Sequence, residues 1–254
     1  MQLWTKEHAI TVLPSLAVGI LLTILLRALI GKKPLRIRMI PVQIVAVLLV
    51  LLEIGKQAIS FKNGYDLYHI PLHFCSIFLF ALPAMAFYRG KYEHKVRTIT
   101  ATVCMSLTGL MLIFPNIIYG SWNVVGFFKN YFDFHTVAFH NLVMCAFVMI
   151  MGLNLYAPEE GGEKKAILLF VIGYCIIAAS AAHLLKVNFA NFYSSNVAPL
   201  DDIRISLQGV LGKVFTQILY VLFNSGLHIG FVWACYQLLR VVRKRLSKAE
   251  TTVA

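Results

Sequence analysis

A thiol and several imidazoles stand where they could do chemistry. The run Tyr68-His69-Ile70-Pro71-Leu72-His73-Phe74-Cys75-Ser76 puts two histidines just before Cys75, and further histidines follow at His135, His140 and His183. A thiol becomes a nucleophile when a neutral imidazole takes its proton. Read as one helix, the run sets His69 and His73 on a shared face, with His73 about 200° from Cys75 at 100° per residue. His73 is then a poor base for this thiol. His140 is better placed: Cys75 lies six residues beyond His69 and His140 six beyond Phe134, so each is ~9 Å inside its helix at 1.5 Å per residue. Charge separation is disfavoured in a poorly solvated site, so the expected state is a neutral Cys75–His140 pair that moves its proton as the sulfur attacks. The competing reading is a packed cysteine and a hydrogen-bonded structural histidine. His183, three residues before Lys186, could orient a carbonyl or a phosphate, or cap a helix end. Glu53 and Lys56 most simply neutralise each other.

The elements that position these groups must be membrane helices. Of the 254 residues, 59% are hydrophobic and only 13% charged, against roughly 45–50% and about 25% in soluble domains. A soluble enzyme could not cover that apolar surface, and a disordered chain would lack it. Seven stretches approach the roughly 20 residues that cross a ~30 Å hydrocarbon layer. They run about 8–30, 39–57, 68–88, 98–119, 134–156, 166–187 and 208–239. Barrel-type alternation does not recur, so the expected fold is all-α, one polytopic membrane domain over 1–254 with seven transmembrane helices. The first stretch is too long for a signal core and ends in basic residues, so it reads as a retained span.

Charge orients the bundle. With the N-terminus outside, segments 27–38, 89–97, 157–165 and the tail from Arg240 hold 16 of the 23 basic residues. The excess of basic residues in cytoplasmic loops therefore predicts N-out and C-in. The net charge of +12 is accounted for by loops beside anionic lipid, and no basic module with interleaved aromatics points to nucleic acid. In this layout Glu53, Lys56, His69, His73, His135, His140, His183 and Lys186 all fall at outer ends, with His228 in an inner half. A polar pocket opening near the outer leaflet follows. The outer segment 120–133 carries Trp122, Phe127, Phe128, Tyr131 and Phe132, as headgroup-level segments do. The five cysteines all lie in spans, are odd in number and form no C-x-x-C pair, so no disulfide framework is expected.

The run His69-Ile-Pro-Leu-His-Phe-Cys75-Ser76 resembles the signature of the YwaF-like bacterial integral membrane proteins and their eukaryotic relatives, the cysteine-dependent transmembrane ether-phospholipid acyltransferases. The resemblance extends to Phe114-Pro115, to Phe139-His140 and to the segment from Asn188 to Tyr193. Androgen-induced-protein hydrolases are more distantly similar, with Thr where Cys75 stands. The resemblance implies a seven-helix fold in a bacterial plasma membrane. Cys75 would accept an acyl group from a phospholipid, with His140 as base, and the thioester would pass it to a lysophospholipid without coenzyme A or any other cofactor. His69, His73, His183 and Asn191 would then line the substrate site. His135 is the alternative base; His140 is preferred because His135 falls close to the interface.

Two other classes stay open. In a zinc-dependent intramembrane lipid hydrolase, His73, His140 and His183 would hold the metal and leave a position for water. A transporter or ligand-binding membrane protein is the third reading, though polar residues gathered near one surface fit it less well than a midplane site would.

Overall fold

The computed structural model describes the backbone of residues 4–119, 124–156 and 162–253, and their side chains except 124–125 and 246–253. Trp122 lies outside the described residues. Helix α1 (Lys6–Ile30) starts at a capping box, in which Thr5 and His8 satisfy each other's backbone N–H groups. A short α2 (Leu35–Arg38) leads into α3 (Ile40–Lys62), whose first turn tolerates Pro41 because a missing N–H there has no partner to lose. After α4 (Phe78–Phe87) come α5 (Glu93–Ile113), α6 (Pro115–Tyr119), α7 (Val124–Lys129), α8 (Tyr131–Gly152), α9 (Glu163–Leu185), α10 (Ala198–Leu211) and α11 (Lys213–Val253). The described residues contain no strand.

Among the described residues six helices are long and apolar enough to cross a membrane, and Phe74–Phe87 is a shorter apolar helix. The chain is thus a multi-pass integral membrane protein. The third expected span departs most from its sequence reading. Its start is a single 3-10 turn at Leu67–His69, then an extended stretch to His73 (φ −68°, ψ 157°) and a second 3-10 turn at Phe74–Ile77, with regular helix only from Phe78. The cause is Pro71, whose ring drives Ile70 out of the helical region (φ −57°, ψ 131°). His69 and His73 therefore share no helix face, and the helical depth and angle expected for Cys75 do not apply. Pro115 similarly separates α6 from α5 within the expected 98–119 span. Gly212 (φ +78°) breaks the chain between α10 and α11, so the last long helix begins at Lys213 rather than near 208.

Helix α8 is the hub: it packs against α1, α3, α5 and α7, while α5 reaches across to α4, α9 and α11. Close packing of α5 uses small hydroxyl residues. Thr102 and Ser106 donate to carbonyls four residues back, and Thr100 also bonds the Ala81 carbonyl of α4 at 2.9 Å, which satisfies each hydroxyl without bulk. Large apolar side chains such as Leu21 and Ile176 point outward at 67% and 61% exposure, the reverse of a soluble fold.

One end of the bundle is fastened by basic residues. Arg27 and Arg38 donate to the carbonyls of Gly152 and Leu153, and Arg243 to Asn154 Oδ1. Nearby, the buried Glu163 pairs with His94 and accepts from Thr98 and Tyr236. Most of the polar residues singled out above gather at the other end.

Candidate functional site

At that other end lies a cavity of about 550 Å³. Glu53 and Lys56 of α3, Cys75 and the two preceding histidines, and His135, Thr136 and His140 of α8 line it. Asn188, Ala190 and Asn191, which follow α9, and Asn224 and His228 of α11 line it as well. Apolar residues also line it, among them Leu107 and Leu110 of α5 and Ile117 and Ile118 of α6. A lining that mixes polar and apolar side chains suits an amphiphile.

Cys75 sits in the 3-10 turn that follows the extended stretch. That stretch is held from α3. Gln57 Nε2 donates to the His69 carbonyl at 2.8 Å and to Glu53 Oε1 at 2.6 Å, while Tyr65 donates to Gln57 Oε1 at 2.8 Å. Ser60 Oγ and His69 Nδ1 are 2.7 Å apart, and the His69 ring stacks on Phe132 at 4.5 Å. His73 Nε2 meets the Tyr68 carbonyl at 3.1 Å. A carbonyl only accepts, so this ring carries its proton on Nε2 when neutral.

The same reasoning fixes His140. Its Nδ1 lies 2.6 Å from the Thr136 carbonyl one turn back, so the neutral ring donates there and leaves Nε2 as a bare acceptor. No described residue hydrogen-bonds Nε2, and His140 and Cys75 line one cavity without a hydrogen bond between them. Contacts of this type are often loose until substrate is bound. His135, the alternative base, lies beside a carboxylate: its Nε2 is 3.1 Å from Glu53 Oε2. Glu53 Oε1 lies 2.7 Å from Lys56 Nζ, so the expected Glu53–Lys56 neutralisation is present with His135 added to it.

Of the expected substrate-facing residues, His69, His73 and Asn191 reach the cavity and His183 does not. His183 Nε2 instead faces Gln217 Nε2 at 3.3 Å, with Tyr193 beside the ring. The three-histidine zinc set of His73, His140 and His183 is therefore not assembled. Among the described residues no group of three or more His, Cys, Asp or Glu is placed to hold a metal ion. All five cysteines are unpaired in disulfides.

His228 and Asn224 were not expected here. A last span beginning near 208 carries His228 into the far half of the bundle. In the structure the first turns of α11 stand beside the segment after α9, where Tyr220 donates to the Asn191 carbonyl at 2.6 Å, so His228 is only about 12 Å further down the helix at 1.5 Å per residue. The available signal was the helical i, i+4 spacing of Asn224 and His228.

No curated protein and no solved structure matches the chain. The sequence pattern of one family does, over residues 3–220, a stretch that holds Cys75, both candidate bases and all but the last helix of the cavity wall, and by that match the chain belongs to the TMEM164 family.

Proposed function

We propose that this protein is a coenzyme A-independent phospholipid acyltransferase working through a thioester on Cys75. The observation that carries this reading is the presence of a thiol and a bare His140 Nε2 in one cavity lined by both polar and apolar side chains. The resemblance of the Pro-Leu-His-Phe-Cys run to the YwaF-like proteins and the ether-phospholipid acyltransferases supports it. So does the gathering of basic residues at the opposite end, which argues for N-out and C-in with the cavity opening on the outer leaflet.

The chemistry is nucleophilic catalysis in two halves. His140 Nε2 takes the thiol proton as sulfur attacks the ester carbonyl of a phospholipid, and the imidazolium returns that proton to the leaving glycerol oxygen. The products are an acyl-Cys75 thioester and a lysophospholipid. A second lysophospholipid hydroxyl then attacks the thioester, its proton passes to the departing sulfur, and the thiol is restored. Water in place of that hydroxyl would make the protein a hydrolase by the same intermediate.

The deciding experiment incubates purified protein with vesicles of phosphatidylcholine carrying a labelled acyl chain. Mass spectrometry is expected to find the chain on Cys75. Cys75→Ala and Cys75→Ser are expected to abolish transfer to added lysophosphatidylcholine while the protein stays monodisperse. Transfer at the wild-type rate in Cys75→Ala ends the proposal.

A further inference from the structure

Two histidines that line the cavity, His140 of α8 and His228 of α11, are built alike. His228 Nδ1 lies 2.9 Å from the Asn224 carbonyl one turn back, as His140 Nδ1 does from that of Thr136. The neutral His228 ring therefore also donates from Nδ1 and carries its lone pair on Nε2. The ring is fixed by a stack on Phe192, with centroids 5.4 Å apart, and by the edge of Phe74, the residue before Cys75, at 5.8 Å. Phe192 is fully buried, so the ring rests on a rigid support.

Asn224 adds a second acceptor. Its Nδ2 donates to the Ala190 carbonyl at 3.0 Å, which orients the amide and leaves Oδ1 directed elsewhere. Neither Asn224 Oδ1 nor His228 Nε2 takes a hydrogen bond from any described residue, and both residues line the cavity. Ala190 itself is held at φ +47° and Asn191 at φ +62°, backbone states that side chains rarely adopt and that persist only where the surroundings impose them. A wall presenting two acceptors without a matching donor is complementary to hydroxyl groups.

The geometry points to this α11 wall as the site of the acceptor alcohol, with His228 as the base for the second half of the reaction. The inference rests on the acyl-Cys75 reading above. In this step His228 Nε2 takes the proton of the acceptor hydroxyl, and its oxygen forms a bond to the thioester carbonyl carbon. The carbon–sulfur bond breaks, and the imidazolium proton passes to the Cys75 thiolate. One ester replaces one thioester, and both the thiol and the neutral ring are restored. His140 activates the thiol in the first half, so the two rings divide the half-reactions between them.

The test separates those halves in single-turnover mixing of purified protein with labelled phosphatidylcholine vesicles, then with lysophosphatidylcholine. His228→Gln is expected to form acyl-Cys75 within about threefold of the wild-type rate and to discharge it about 100-fold more slowly, in the range of general-base losses. In His228→Ala, added imidazole is expected to restore discharge without changing acylation. Asn224→Leu, which keeps the ring, is expected to raise the KM for lysophosphatidylcholine about tenfold with acylation unchanged. Discharge by His228→Gln within threefold of wild type, equal slowing of both halves, or an unaltered KM in Asn224→Leu overturns the assignment. Failure of the wild-type protein to form any acyl-Cys75 is a different outcome; it sinks the thioester reading and this one with it.

Discussion

Glu53 Oε2 and His135 Nε2 stand 3.1 Å apart across the contact between α3 and α8, while Glu53 Oε1 holds Lys56 and Gln57. One carboxylate thus ties two helices and, through Gln57, the extended stretch before Cys75. Glu53 is 8% exposed, so removing its charge strands buried partners. Glu53→Gln is expected to cost about 3–5 kcal/mol, the range for a broken buried pair. A thermal-denaturation cycle with Lys56→Gln is expected to show strong coupling, and additive losses would contradict the shared pair.

The same contact separates the two candidate bases. His140→Gln is expected to slow acylation of Cys75 by about 10²–10⁴-fold, the span for loss of a general base. His135→Gln is expected to lower thermal stability and leave the acylation rate of the folded fraction within about tenfold. Measured single-turnover rates in which His135 is the more damaging position would reverse the assignment.

Gly55 permits the close approach of α3 and α8. A Cβ there would meet the Tyr131 hydroxyl at 2.2 Å and Cζ at 2.9 Å, and that hydroxyl donates to the Leu52 carbonyl at 3.0 Å. Gly55→Ala is therefore expected to destabilise by about 1–3 kcal/mol, as overpacking does. In a Tyr131→Ala background the same substitution is expected to cost little, a difference readable from paired melting curves.

Outside the spans, Arg204 Nε bonds Asp201 Oδ1 at 2.8 Å, and Ser195 N donates to the same oxygen at 2.9 Å. The guanidinium hydrogen bond is the main cause that holds the Asp201 carboxyl below its ordinary range. A carboxylate depressed on folding adds stability above its unfolded value and loses it as the pH falls through the folded value. Hydrogen exchange at the start of α10 is thus expected to be pH-independent in protection near neutrality and to lose protection in acid. Arg204→Ala is expected to move that loss to higher pH, and an unmoved profile would show the pair to be idle.

Apolar content and span length made the helical membrane class legible from composition, because a chain this rich in hydrocarbon has no other solvent that would accept it. The spacing of basic loops likewise marked one end of the bundle, and the residues around Cys75 stood out as candidates for chemistry before any fold was known. Pattern alone could not show that Pro71 would unwind the stretch before Cys75, since a proline is equally at home in a first helical turn. Nor could it show that His183 would turn to Gln217 while His228 entered the cavity. Those outcomes depend on where α11 stands against the segment after α9, which is settled by Gly212 and by the Tyr220 and Asn224 bonds to Asn191 and Ala190. Helical periodicity sets which residues share a face within one element, whereas the register between elements distant in sequence follows from side-chain packing that only the assembled bundle defines.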